Sequence, residues 1–178
     1  MDVARAYDST LYLHSLAVAE LTARFASHLN FTTVEQRRLT RAALLHDIGK
    51  TRIPIGILNK REPLSPEERN LIASHPDIGQ NLLTQDGEDD EVLLSIVRDH
   101  HERLDGSGYP RGLRAEEISV FVRVVTLCDV FTAITERRPY AEPLGWDAAL
   151  DCMFAKQTRL DQDLLTQFAT MIPYLEIP

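Results

Sequence analysis

His14, His46, His100 and Asp129 sit where their chemistry is out of place. Each occupies a slot on a helix-period stripe that otherwise carries Leu, Val or Ala. A lone histidine on such a face is ordinarily a core residue with a hydrogen-bonded ring. Four cases on four stripes ask for a common cause. Asp129 presses the point, because an unpaired buried carboxylate is strongly destabilising. A shared metal site satisfies all four.

Two doublets sharpen this reading. His46-Asp47 precedes Gly49, and His100-His101 precedes a glycine-rich run. Adjacent helical residues point about 100° apart, so both members of a doublet reach one centre only near a helix end. With His75 the candidate ligands are His14, His46, Asp47, His75, His100, His101 and Asp129. The remaining histidine, His28, reads as a helix-terminal or exposed residue. Imidazole and carboxylate without thiolate suit Fe, Mn, Ni or Zn. The set exceeds the three protein ligands of a catalytic zinc. Two ions about 3.5–4 Å apart, sharing a carboxylate, accommodate it. Such a pair lowers the pKa of a bridging water and aligns it with a phosphodiester.

The elements that must position these residues are all helical. Leu11, His14, Val18, Leu21 and Phe25 recur on one face. Thr32 with Glu35 fits a capping box opening a second helix, which carries Leu39, Ala42, Ala43 and His46 and which Gly49 is expected to stop. Ser65-Pro66-Glu67-Glu68 opens a third, expected to run to His75, with a short helix over Ile78 to Leu83. The acidic stretch Gly87 to Glu91 opens the helix of Leu93, Ile96, Val97 and His100. The run from Leu104 to Leu113, with three glycines and a proline, is an ordered loop. Val120 to Thr135 is apolar on all sides and so central. Two amphipathic helices, Trp146 to Lys156 and Leu164 to Ile172, complete an all-α, compact multi-helix bundle, read as one domain over 1–178.

Composition narrows the function. The 178 residues are 44% hydrophobic, enough for a core, and the formal net charge is -8. That balance disfavours binding to nucleic acid or an anionic membrane. An anionic small substrate then needs local positive charge, which a metal pair supplies. Cys128 and Cys152 lie among apolar residues and read as core thiols of a reducing compartment. Neither a spanning apolar run nor a signal-peptide segment is present, and a cytoplasmic location is expected.

The strings HDIGK (46–50), His75-Pro76 with Gly79, and HHERLDGSGYPRGL (100–113) resemble the HD-GYP family, a branch of the HD metal-dependent phosphohydrolases. IPIGILNK, SPEE and CDVFTAITERRPY extend the likeness over nearly the whole chain. The resemblance implies hydrolysis of cyclic di-GMP to the linear dinucleotide, and on to GMP. It assigns one metal to His14, His46, Asp47 and Asp129, and the other to His75, His100 and His101, with Asp47 bridging. It places Lys50 on a substrate phosphate, where its flexible point charge suits the role. Arg138 matches a phosphate- or base-contacting arginine, and is as readily a surface charge at a helix end. Tyr109, in Gly108-Tyr109-Pro110, belongs to a rigid turn beside the metal. That loop is linked in the family to diguanylate cyclase domains, which makes Tyr109 a possible partner anchor.

Three positions depart from the pattern. Thr10 replaces a Glu that binds a third metal in some members, so two ions are expected. Thr132 and Ala141 replace an Asp and a basic residue, which bears on substrate choice, cyclic di-GMP against cyclic GMP-AMP. Two other readings compete with the enzyme: a regulatory module that holds the nucleotide or a cyclase without turnover, and an HD phosphohydrolase for another nucleotide. The complete ligand set argues against the first and the GSGYP loop against the second. Exposed apolar positions on the terminal helices could support a homodimer.

Overall fold

The computed structural model describes residues 9–136 and 143–174. Helix α1 spans Ser9–His28 and α2 Thr33–Leu45. A 3₁₀ turn, Ile48–Arg52, leads to the short α3, Ile55–Leu58. Then come α4 (Pro66–Ala73), α5 (His75–Gln85) and α6 (Glu91–Asp99). The central α7 is Val120–Thr135, followed by α8 (Trp146–Phe154) and α9 (Gln162–Met171). No strand occurs among the described residues. One isolated antiparallel bridge, Asp105 with Arg114, pins the base of the glycine-rich loop. No described helix is long and apolar enough to cross a membrane.

The starts of these helices are chemically specified. Thr32 and Glu35 cap α2 reciprocally: Thr32 N donates to Glu35 Oε2 (2.8 Å) and Glu35 N to Thr32 Oγ1 (3.3 Å). Ser65 and Glu68 do the same for α4 at 2.8 and 3.2 Å. Asp90 accepts from Val92 N and Leu93 N to open α6.

Helix α7 is the axis of the molecule. It packs against α1, α2, α6, α8 and α9, and buries Val122, Val124, Val125, Leu127, Cys128 and Phe131. Phe168 of α9 meets Phe25 of α1 and Phe131 of α7 edge-on, with ring centroids 5.0 and 5.2 Å apart. Toward one end of this bundle the buried stripes give way to histidine and aspartate.

Two boundaries differ from the sequence expectation. Helix α4 stops at Ala73, and His75 opens α5, which reaches back beyond Ile78 and on to Gln85. Pro76 explains this: without an N–H it belongs in a first turn, where no partner is needed. Gly49 does not stop α2. The helix ends at Leu45 with His46 as its cap, and Gly49 lies inside the following 3₁₀ turn. Its value there is space. A Cβ on Gly49 would fall 1.9 Å from the His75 carbonyl oxygen and 2.6 Å from Gly79 N. The turn after His46 and Asp47 therefore lies backbone to backbone against the helix that begins with His75. The last two helices also stop slightly short of the expected ends, at Phe154 and Met171.

Candidate metal centre

All seven sequence-derived ligands converge at that polar end. Two groups of ligand atoms each fall within 4.8 Å of one another: Asp47, His75, His100 and His101 in one, His14, His46 and Asp129 in the other. His46, His75 and His100 are fully buried, Asp47, His14 and Asp129 nearly so, and His101 partly.

Ring orientation follows from helix ends. The last carbonyls of a helix have no intrahelical partner. His46 Nδ1 lies 2.6 Å from Ala43 O, His75 Nδ1 2.7 Å from Ile72 O, and His100 Nδ1 2.9 Å from Val97 O. Each carbonyl belongs to the last turn of α2, α4 or α6. A carbonyl only accepts, so each ring carries a proton on Nδ1 and, as the neutral tautomer, turns a bare Nε2 inward.

The inward atoms then meet as acceptors. His75 Nε2 and His100 Nε2 stand 3.4 Å apart, and 3.0 and 3.7 Å from Asp47 Oδ1. His46 Nε2 lies 3.4 Å from Asp47 Oδ2 and 3.8 Å from Asp129 Oδ1. Short as these approaches are, lone pair against lone pair is no hydrogen bond. Accordingly His46 Nε2 and Asp47 Oδ1 are buried without a hydrogen-bond partner among the described residues. Orphaned buried acceptors of this kind are costly, and cations placed among them remove the cost. The imidazole-carboxylate donor set fits divalent transition ions.

The electrostatics agree. Burial pulls the His100 pKa down to about 4 and holds His101 well below the usual histidine range. Burial would raise the Asp47 carboxyl, but the Lys50 ammonium, with Nζ 2.5 Å from Oδ2, helps to hold it well below the usual carboxylate range. Asp129 is likewise held low against its burial, chiefly by His14. His14 goes the other way. Burial lowers its pKa, but the hydrogen bonds to Asp129 and Glu136 outweigh that and raise it to about 9.

The geometry invites comparison with known proteins. Residues 1–164 match the HD domain family. This chain belongs to the HD-domain family. It is 41% identical over 142 residues to the cyclic di-GMP phosphodiesterase PA4108 of Pseudomonas aeruginosa, covering 80% of this chain and 34% of that one. It is 37% identical to the 3'3'-cGAMP-specific phosphodiesterase 3 of Vibrio cholerae, covering 79% and 30%. The chain thus spans about a third of the length of these curated relatives. Among solved structures, Bd1817 of Bdellovibrio bacteriovorus, an HDG"Y"P protein, superposes with a TM-score of 0.74 at 21% identity, over 91% of this chain and 52% of that one. That likeness shows the shared all-helical HD fold.

Around these candidate ligands the structure adds residues that the sequence reading passed over. Glu102, buried, accepts from Arg111 N (2.7 Å) and Leu113 N (2.9 Å) and so ties down the far side of the Gly-Tyr-Pro loop. Asp99 takes the Arg111 guanidinium at 3.2 and 2.6 Å. Thr126 donates to His100 O. Gly108 passes so close to the chain that a Cβ would meet Arg103 N and Glu102 Cα at 2.4 Å. Tyr109 stacks on His101 at 4.7 Å with 26° between rings. Glu136, at the end of α7, meets His14 Nδ1 at 2.8 Å. The HHE triplet was the one sequence signal that could have flagged Glu102; no spacing rule points to Glu136. Arg138 and Ala141 lie outside the described residues. Thr132 is buried in α7. His28 meets Thr170 of α9 at 3.2 Å, away from the site.

Proposed function

We propose that this chain is a two-metal phosphodiesterase acting on a cyclic dinucleotide, cyclic di-GMP first among them. One observation carries the reading: seven imidazole and carboxylate side chains converge in two groups of ligand atoms, with His46 Nε2 and Asp47 Oδ1 buried there without a hydrogen-bond partner among the described residues. Asp47 stands between the two groups and would bridge. His14, His46 and Asp129 would complete one ion's protein shell, and His75, His100 and His101 the other's. Iron or manganese suits these donors best, with nickel or zinc also accommodated. Bound there, a pair of divalent ions supplies Lewis-acid activation of water and positive charge for a phosphodiester, in a chain of net charge -8.

The chain's own residues divide the remaining work. Lys50 pairs with Asp47 through a half-buried ammonium, so its flexible stem can transfer that charge to a substrate phosphate. Tyr109, stacked on His101, forms a wall of the site, which favours this role over an anchor for a cyclase partner. Arg138 is the second candidate phosphate contact.

The test is turnover by protein purified without oxygen and supplied with Mn²⁺ or Fe²⁺, with cyclic di-GMP and cyclic GMP-AMP offered separately. Linear dinucleotide is expected from cyclic di-GMP, and is expected to vanish in Asp47→Ala while that variant stays folded. Cleavage of cyclic GMP-AMP alone would move the substrate to that of the Vibrio cholerae relative. Absence of product from both, with metal bound, would leave the non-catalytic binding module.

A further inference from the structure

We infer that Glu136 is a positioning residue that fixes the His14 ring, and so sets the affinity of the site formed by His14, His46 and Asp129. The inference rests on the two-metal reading above.

His46, His75 and His100 each take their orientation from a last-turn carbonyl. His14 has no such carbonyl. It lies in the second turn of α1, where the helix's own ladder engages the main chain. A side chain must do the work, and Glu136 Oε2 accepts from His14 Nδ1 at 2.8 Å. That bond directs Nε2 at Asp129 Oδ1, 3.1 Å away, and sets the ring edge-on to His46 with centroids 5.6 Å apart.

The placement of Glu136 is otherwise unfavourable. It caps the C-terminal end of α7, where the helix dipole disfavours negative charge. It stands seven residues beyond Asp129, two turns on, and so on the same face of the helix. One helix thus supplies both the ligand on one side of His14 and the carboxylate on the other. Second carboxylates that hold a ligating imidazole typically tune metal affinity by about 10–100-fold.

The experiment measures Mn²⁺ binding by calorimetry and by the bound-ion stoichiometry, for the wild-type protein, Glu136→Ala and Glu136→Gln. Thermal unfolding checks that each variant is folded. In Glu136→Ala, one of the two ions is expected to bind about 10–100-fold more weakly while the other keeps its affinity. Glu136→Gln, whose side-chain oxygen accepts the same N–H, is expected to recover most of that loss. Wild-type affinities for both ions in Glu136→Ala would overturn the inference. So would a Gln variant as weak as the Ala variant, since a hydrogen-bond acceptor would then not be what matters. Wild-type protein that takes up fewer than two ions would sink the two-metal reading itself, a distinct result.

Discussion

His14 and His100, in adjoining groups of the cluster, are held in opposite protonation regimes. His100 is neutral at any pH above about 4, and Asp47 is ionised throughout that range. These two residues are ready for an ion without losing a proton. His14, with a pKa near 9, carries a proton on each ring nitrogen at neutral pH. An ion entering beside it must displace the Nε2 proton. Mn²⁺ loading at pH 7.5 is therefore expected to release close to one proton, falling to about half a proton near pH 9 and almost none above about pH 10. Calorimetry in buffers of differing ionisation enthalpy reads this directly, and heats independent of buffer would refute it. The sign for the metal-free protein follows from the same value. A folded pKa above the unfolded 6.5 stabilises fully below pH 6.5, and that stability, about 3 kcal/mol, fades as pH rises through about 9. At this scale the sequence was most informative: every candidate ligand but His75 stood out as a polar residue on an apolar stripe or in a doublet. Glu136 did not, because a carboxylate at a helix end looks like any surface charge until the fold brings it across 122 residues to His14.

The elements were legible to the extent that their caps and periods are local. Thr32, Ser65 and Asp90 open α2, α4 and α6 where their side chains announce it. What local pattern could not reveal was the junction of elements. Gly49 reads as a helix stop in sequence, yet its role depends on α5, whose backbone presses on it from 26 residues away. Gly49→Ala is expected to lower stability by about 3 kcal/mol, the upper end of ordinary overpacking, since a main-chain oxygen cannot step aside as a side chain would. For a chain of this size that is a fall of roughly 6–12 °C in Tm. A loss under about 1 °C would show that the turn can slide along α5.

For the whole molecule, the polar end of the bundle is an opposing term in stability. His46 Nε2 and Asp47 Oδ1 are buried there without hydrogen-bond partners among the described residues, while the apolar core, in which Phe168 meets Phe25 and Phe131 edge-on, supplies the favourable burial. Ions that bind only the folded state should therefore raise Tm. At one hundred times their Kd the gain is about 2.7 kcal/mol, or roughly 5–11 °C, and chelation should reverse it. Differential scanning calorimetry with Mn²⁺ and then EDTA tests this; equal Tm values would remove the cluster from the list of folded-state metal sites. The global arrangement was foreseeable as all-helical because no alternating pattern competes. The meeting of five chain regions at one end was foreseeable only through the chemistry of the candidate ligands.

The contact at Gly49 also bears on descent. Ligands carried by the turn after α2 and by the head of α5 are spaced by main chain against main chain. Hydrophobic residues elsewhere in the bundle can be exchanged over generations without altering that separation. A lineage could therefore rewrite most of its interior and still keep the two halves of the centre in register, provided one hydrogen atom never becomes a methyl group.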